Sequence, residues 1–532
     1  MPFAGKDYVI TNARIIDGSG RKPPFTGDAV ISGEKILYVR EKGQEDHYNN
    51  LPVFDAAGLT LAPGFIDTHT HSDMSLFAAP EAESCITQGV TTQITGNCGL
   101  SPFPVLTEEV REHLEHLYGK YGQKITWNDF SSYAEELEKR MPATNILSLC
   151  GHNTLKANIC SYKGKECTKE EVQKMCELLS GTFSQGAAGL STGLLYVPGN
   201  SSGTEELLML MKILKKYFLP YTTHLRSEGA SLCEAVKEAV FLAENGSRKL
   251  HISHLKTAKE ANWHKLPQVF SLLEEGRQKG LQITCDRYPW TFSATSLSVI
   301  LPGLYQEMTD AAIEKKLAGD KNECRILAEK LDESIRSWDR ILLADTEKEE
   351  WKKFCGKDFA SIGKNLSLTP GESILKILSG DGSHAMGAFG GMSEKNLAEI
   401  LRKDFTCCGS DETSRPFLSS IGRSHPRGFD SFPRFFNQLR SMNIPEEEII
   451  FRFTGLPSCV FPLHKRGLIR EGFYADMVLF DPEKFSSKAN FSHPHTPAEG
   501  VKAVFVNGRL CDIEKSILKR NRNGKVLKNI PQ

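Results

Sequence analysis

Between residues 65 and 412 the chain repeats one rhythm eight times, a short apolar run followed by a longer stretch of helical period. The runs are FIDTHTH (65–71), VTTQITGNC (90–98), NILSLCGHN (145–153), AAGLSTGLLY (187–196), LPYTTHLRS (219–227), LHISHLK (250–256), LQITCDRYP (281–289) and FTCCGSDE (405–412). Between them, TKEEVQKMCELLSGTF opens on a threonine cap, LPQVFSLLEEGRQKG stops on glycine, and TEELLMLMKILKKYF and SLCEAVKEAVFLAEN read as helices. Alternating strands and helices imply an α/β protein with a parallel sheet. Eight steps fit a closed (β/α)8, TIM-like barrel better than an open sheet, although counting alone leaves the open sheet standing.

The two ends read differently. Residues 7 to 62 alternate in short bursts broken by Gly, Pro and Asp, and the pattern returns at 472–482 and 501–513. Both termini are therefore expected to build one small β-sandwich domain together. The expected division is 1–62 and 469–532 for that domain and 63–468 for the barrel. Residues 291–404 are too long for a connection, which marks them as an insertion over the barrel mouth, a candidate lid.

With 65 Lys+Arg against 66 Asp+Glu, mixed along 532 residues without a run of five basic ones, neither nucleic acid nor an anionic membrane is expected as a partner. No apolar stretch reaches membrane-spanning length, and the start MPFAGKDYVITNARIIDG lacks a basic segment followed by an apolar one. The expectation is a soluble cytoplasmic protein with a small-molecule substrate. Fourteen cysteines, including the adjacent Cys407 and Cys408, then read as mostly reduced and buried rather than as a disulfide framework.

Catalytic groups of such a barrel sit where its strands end. His69 and His71, at alternate positions, would aim two imidazoles the same way; alone, the pair suits either a transition metal or a solvated strand end. Later runs add Cys98, His224 and His254, and the eighth adds Asp411. Thiolate and imidazole from four strands form a donor set that zinc accepts. His251, three positions before His254, has the opposite parity and is expected to point outward with no metal role. His152 stands as either a neighbour of the site or a ligand, and His113 and His116 read as residues of a surface helix.

The ordered series APGFIDTHTHSD, QGVTTQITGNCGLSPFP, GAAGLSTGLLY, THLRSEG, HISHLK, GSDE and SHPRGFDSFPR resembles the N-acyl-D-amino-acid deacylase (D-aminoacylase) family of the metal-dependent amidohydrolases. The likeness runs from the N-terminal strands to RGLIREGFYADMVLFDP. It implies a zinc hydrolase that splits an N-acyl-D-amino acid into a carboxylate and a free D-amino acid. Cys98, His224 and His254 would hold the tighter zinc, and His69 and His71 a weaker second one, with Cys98 able to bridge. Asp411 would take the proton of the attacking water and pass it to the leaving nitrogen.

The strand-four run contains no lysine, which fits a family that uses the cysteine instead. Lys256, two residues beyond His254, supplies a cation for the substrate carboxylate, and Tyr288 could share that group. Tyr196 and Met392 match pocket positions, with ordinary packing as their alternative. Glu412 beside Asp411 and Ala294 in place of an expected serine depart from the family pattern. Two other readings stand beside the deacylase: a ring-opening amidohydrolase of the hydantoinase type, and a non-catalytic scaffold of this fold. Stereochemistry comes from the resemblance alone, and nothing in the sequence sets an oligomeric state.

Overall fold

The computed structural model describes residues 7–43, 50–162, 164–303, 305, 308–382, 384–418, 420–423, 425–511 and 522–529. All eight expected runs contain parallel strands, shorter than the runs themselves. They are Phe65–Asp67, Val90–Thr95, the pieces Asn145–Ser148 and Cys150–Gly151, Leu190–Gly193, Tyr221–His224, Lys249–Ile252, Gln282–Arg287 and Thr406–Cys408. Pairing follows sequence order, in one parallel ladder from Phe65–Asp67 to Asn145–Ser148 and in another from Cys150–Gly151 to Thr406–Cys408. First and last strands approach each other as well: Thr68 N donates to Cys408 O (3.4 Å), and Thr70 forms an isolated parallel bridge with Glu412.

The helices follow their local chemistry. Lys169–Ser184 is opened by a capping box in which the Thr168 side chain accepts from Glu171 N, and the Glu171 carboxylate accepts from Thr168 N. Leu179 and Phe183 on its buried face join the largest apolar cluster, with Leu210, Leu214, Val236 and Leu273 of the next three helices. Thr204–Tyr217, Leu232–Asn245 and Leu266–Gln278 complete the expected set.

Both termini contribute to one eight-stranded sheet. Met477–Phe480 pairs antiparallel with Thr60–Pro63, with Leu479 opposite Leu61, and Val501–Val506 and Arg509–Cys511 extend the sheet on that side. On the other side lie Tyr8–Ile15, Phe25–Ser32 and Lys35–Glu41. The expected β stretches also include residues 44–49 and 512–513, which lie outside the described residues. Asp476 ties this sheet to the parallel strands: its carboxylate accepts from Asn507 N (2.8 Å), from Asn145 Nδ2 (3.2 Å) and from Arg466.

Residues 291–404 carry a core of their own, built on Leu297, Leu343, Trp351, Phe359, Ile374 and Leu378. Their sheet is antiparallel, with Met386–Gly390 between Phe292–Ser296 and Ile341–Asp345, and Ala294 opposite Ala388. One disulfide joins Cys160 to Cys167, and the other twelve cysteines form none with one another. No described helix is long and apolar enough to cross a membrane.

Phe65, at the start of the first parallel strand, is fully buried among Phe432 (5.6 Å between ring centroids), Phe453 (5.0 Å) and Phe480 (5.9 Å). Phe65→Ala should therefore cost about 3–5 kcal/mol, read as a lower denaturant midpoint at unchanged slope.

Candidate metal centre

Cys98 Sγ lies 3.4 Å from His69 Nε2, 3.6 Å from His224 Nδ1 and 3.5 Å from His254 Nε2. Bonds of about 2.3 Å to sulfur and 2.0–2.1 Å to nitrogen, meeting at a tetrahedral angle, set the two donors about 3.5 Å apart. Each sulfur–nitrogen pair thus stands at the spacing of two donors on one tetrahedral zinc, and soft sulfur with imidazole nitrogen is the chemistry such a site needs. Three donor sets each fall within 4.8 Å: His69, His71 and Cys98; Cys98, His224 and His254; and His69, His254 and Asp411. Cys98 belongs to the first two sets.

Most of these residues sit just past a strand end, and three hold an unusual backbone. Cys98 (φ 53°), His254 (φ 37°) and Asp411 (φ 51°) are all left-handed, a conformation costly for residues other than glycine. Close packing holds them there. A Cβ on Gly193 would come within 2.0 Å of Cys98 O, and one on Gly409 within 2.8 Å of His69 Cβ and 2.7 Å of Asp286 Oδ1.

Asp286 organises the layer beneath. Its carboxylate pairs with His69 Nδ1 (3.1 Å) and His251 Nε2 (2.9 Å) and accepts from His254 N (2.9 Å). With Nδ1 committed there, His69 presents Nε2 to Cys98. Burial works against the Asp286 charge, but the His69 and His251 imidazoles override it and hold the carboxyl well below its usual range. Burial likewise pushes the Cys98 thiol up, while His69 and His254 pull it well below its ordinary value, which favours the form that binds a metal.

Asp411 spans the mouth of the cluster. Its Oδ1 is 3.3 Å from His71 Nε2 and 3.4 Å from His69 Nε2, and its Oδ2 is 2.9 Å from Arg427 Nη1. Against burial, Arg427 and then His254 keep this carboxyl well below the normal range. Glu412, the departure beside it, faces away: it accepts from His425 N (3.0 Å) and lies 3.5 Å from Arg415.

The remaining expected residues are linked to the same cluster. The Tyr196 ring meets His224 edge-on at 4.9 Å. Lys256 Nζ is 2.8 Å from His254 Nδ1 and is already paired with the Glu228 carboxylate, so its charge is shared. Tyr288 is buried, its hydroxyl lacks a hydrogen-bond partner among the described residues, and the guanidinium groups of Arg287 and Arg427 lie 4.0 Å and 4.4 Å from its ring centroid. Met392 Sδ accepts from Arg287 Nη2 at 2.9 Å.

Four residues here escaped the sequence reading: Glu228, Asp286, Arg287 and Arg427. Glu228 stands four positions after His224 in THLRSEG, Asp286 is an acid inside a strand, and Arg427 lies in SHPRGFDSFPR. The expectation for His251 is corrected. Its ring is fully buried against Phe461 (5.2 Å) and bound to Asp286, because the left-handed turn at His254 breaks the strand alternation that the parity argument assumed. His152 is held elsewhere, 2.9 Å from Glu206. His116 is exposed and His113 half-buried on helix Glu108–Leu117.

Asp286→Asn should loosen His69 without removing a donor. Zinc affinity of the purified chain, measured by chelator competition, should fall about 10–100-fold.

Comparison with known proteins gives a consistent set. A model of the Amidohydrolase family matches residues 52–220. The N-acyl-D-aspartate deacylase of Alcaligenes xylosoxydans xylosoxydans is 30% identical over 95% of this chain and 92% of its own length. The crystal structure of an N-acyl-D-glutamate deacylase from Bordetella bronchiseptica, complexed with zinc and a phosphonate mimic of the tetrahedral intermediate, is 25% identical with a TM-score of 0.81 and covers 98% of this chain and 99% of that one. A D-aminoacylase structure, whose study concerns a binuclear metal centre with one-metal activation and second-metal attenuation, is 27% identical with a TM-score of 0.80, at coverages of 98% and 99%.

Proposed function

The chain belongs to the N-acyl-D-amino-acid deacylase family of the amidohydrolases, and from that premise we propose that it hydrolyses N-acyl-D-amino acids to a carboxylate and a free D-amino acid. The observation that carries the reading is the Cys98 sulfur set 3.4–3.6 Å from three imidazole nitrogens. Cys98, His224 and His254 are read as the holders of one tight zinc, with His69 and His71 at a weaker second position and Cys98 common to both. Zinc bound there supplies a Lewis acid for the amide carbonyl and a water acidified to near neutrality.

Asp411 is read as the proton carrier. Ionised by Arg427, it accepts the proton of the attacking water. Because the same ion pair makes the protonated carboxyl a strong acid, it gives that proton up readily to the leaving nitrogen. Lys256 and Tyr288 are read as holding the substrate α-carboxylate, with Tyr196 and Met392 lining the pocket. The buried, unpartnered Tyr288 hydroxyl supports this assignment, since such a group asks for a ligand to bond.

The architecture is read in the same way, as a closed (β/α)8 barrel at 63–468. The Thr68–Cys408 bond and the Thr70–Glu412 bridge between first and last strands support closure. Residues 1–62 and 469–532 are read as a small β domain, and 291–404 as a lid with its own core. Of these, 1–6, 44–49, 304, 306–307, 383, 512–521 and 530–532 lie outside the described residues. A cytoplasmic setting suits a chain that pairs only two of its fourteen cysteines in the one disulfide among the described residues.

The test is a panel of N-acetyl-D- and N-acetyl-L-amino acids assayed beside a zinc count. D substrates should be hydrolysed and their L enantiomers spared; turnover of N-acetyl-L-methionine alone would sink the reading. Cys98→Ala should lose more zinc than His69→Ala or His71→Ala. Asp411→Asn should keep its zinc and lose about 10²–10⁴-fold in kcat.

A further inference from the structure

Arg287 is 1% exposed, and its Nε and Nη1 have no hydrogen-bond partner among the described residues. Its Nη2 donates to Trp290 O (2.7 Å) and contacts Met392 Sδ (2.9 Å), both neutral acceptors. The other cations of the neighbourhood are matched. Arg427 has Asp411, Lys256 has Glu228, and Arg434 lies 3.8 Å from Asp430, which also accepts from Trp290 Nε1. Among the described residues no carboxylate pairs with Arg287.

A buried guanidinium without a counter-charge is costly, and proteins keep such groups where a ligand supplies the anion. The location narrows which anion. Arg287 stacks on one side of the Tyr288 ring while Arg427, the partner of Asp411, stacks on the ring as well. It also touches Met392, from the segment read as the lid. The unmatched charge therefore lies against the ring of Tyr288, the residue read as holding the α-carboxylate, and against Met392 of the segment read as the lid.

We propose that Arg287 is a subsite for a second carboxylate, so that this enzyme prefers N-acyl-D-amino acids with an acidic side chain to those with a neutral one. The proposal rests on the deacylase reading above and specifies its substrate class. Its chemistry is a charge-assisted hydrogen bond from guanidinium N–H to carboxylate oxygen in a dry site, which a neutral side chain cannot replace.

The experiment compares kcat/KM for N-acetyl-D-glutamate, N-acetyl-D-aspartate and N-acetyl-D-methionine on the zinc-loaded full-length enzyme, wild type and Arg287→Met. The wild type should favour an acidic substrate by about 100-fold, the scale of one buried charge partner. That ratio should collapse in Arg287→Met and recover in part in Arg287→Lys. A wild type that prefers methionine overturns the proposal. So does an Arg287→Met enzyme that loses acidic and neutral substrates by the same factor, which would give Arg287 to the α-carboxylate. Where Arg287→Met fails to fold, the wild-type ratio decides alone. Turnover of neutral D substrates only refutes this subsite and spares the deacylase reading, whereas no turnover of any D substrate refutes both.

Discussion

A sulfur atom held within 3.4–3.6 Å of three imidazole nitrogens sets the tolerance for everything around it. Cys98 comes from the second parallel strand's exit, His69 from the first, His224 from the fifth and His254 from the sixth, so four separate chain segments must arrive within a few tenths of an ångström. Regular backbone alone does not deliver that. The left-handed turns at Cys98, His254 and Asp411 redirect side chains just past their strands, and Gly193 and Gly409 leave room for those turns. The strain is carried by the ladder below it, in which each strand is fixed by its neighbours.

Below the donors the charges form a connected chain rather than isolated pairs. Asp286 joins His69, His251 and the backbone of His254; Glu228 joins His254 to Lys256; Arg427 joins Asp411 to the Tyr288 ring. Each carboxylate is kept ionised inside the protein by the partner it orients. Orientation and protonation are thus settled by the same contacts, which is the economy of a buried network whose members are nearly all satisfied. Arg287 stands out as a buried cation that, among the described residues, no carboxylate pairs with.

Much of this was legible in the sequence, and the boundary of legibility has a physical cause. Strand and helix runs announce themselves through periodicity, so the eight parallel strands, the four quoted helices and the shared sheet of the two termini could all be read from local patterns. The converging residues could be read because histidine, cysteine and aspartate at strand ends are chemically conspicuous. His251 could not, since a single residue at φ 37° cancels the alternation used to aim its neighbours, and no composition signal marks that turn. Asp286 and Glu228 were hidden for another reason: their meaning lies in partners distant in sequence, such as His251, 35 residues from Asp286, and His254, on a strand end beyond Glu228. Pairing of Cys160 with Cys167 likewise depends on a short loop closing, which their spacing permits without demanding.

Residues 291–404 enter and leave the body of the protein through two strands zipped to each other, Phe292–Ser296 against Met386–Gly390, and between them lies a separate apolar core. The segment is built like a plug-in part on a narrow two-stranded stem. Its interior can drift in sequence, lengthen or be exchanged while the register at the stem stays fixed, and the donor atoms on the parallel strands need not move in response. What changes is its contact with the strand residue Arg287, where Met392 sits. A fold of this kind can hold its chemistry constant and revise its diet.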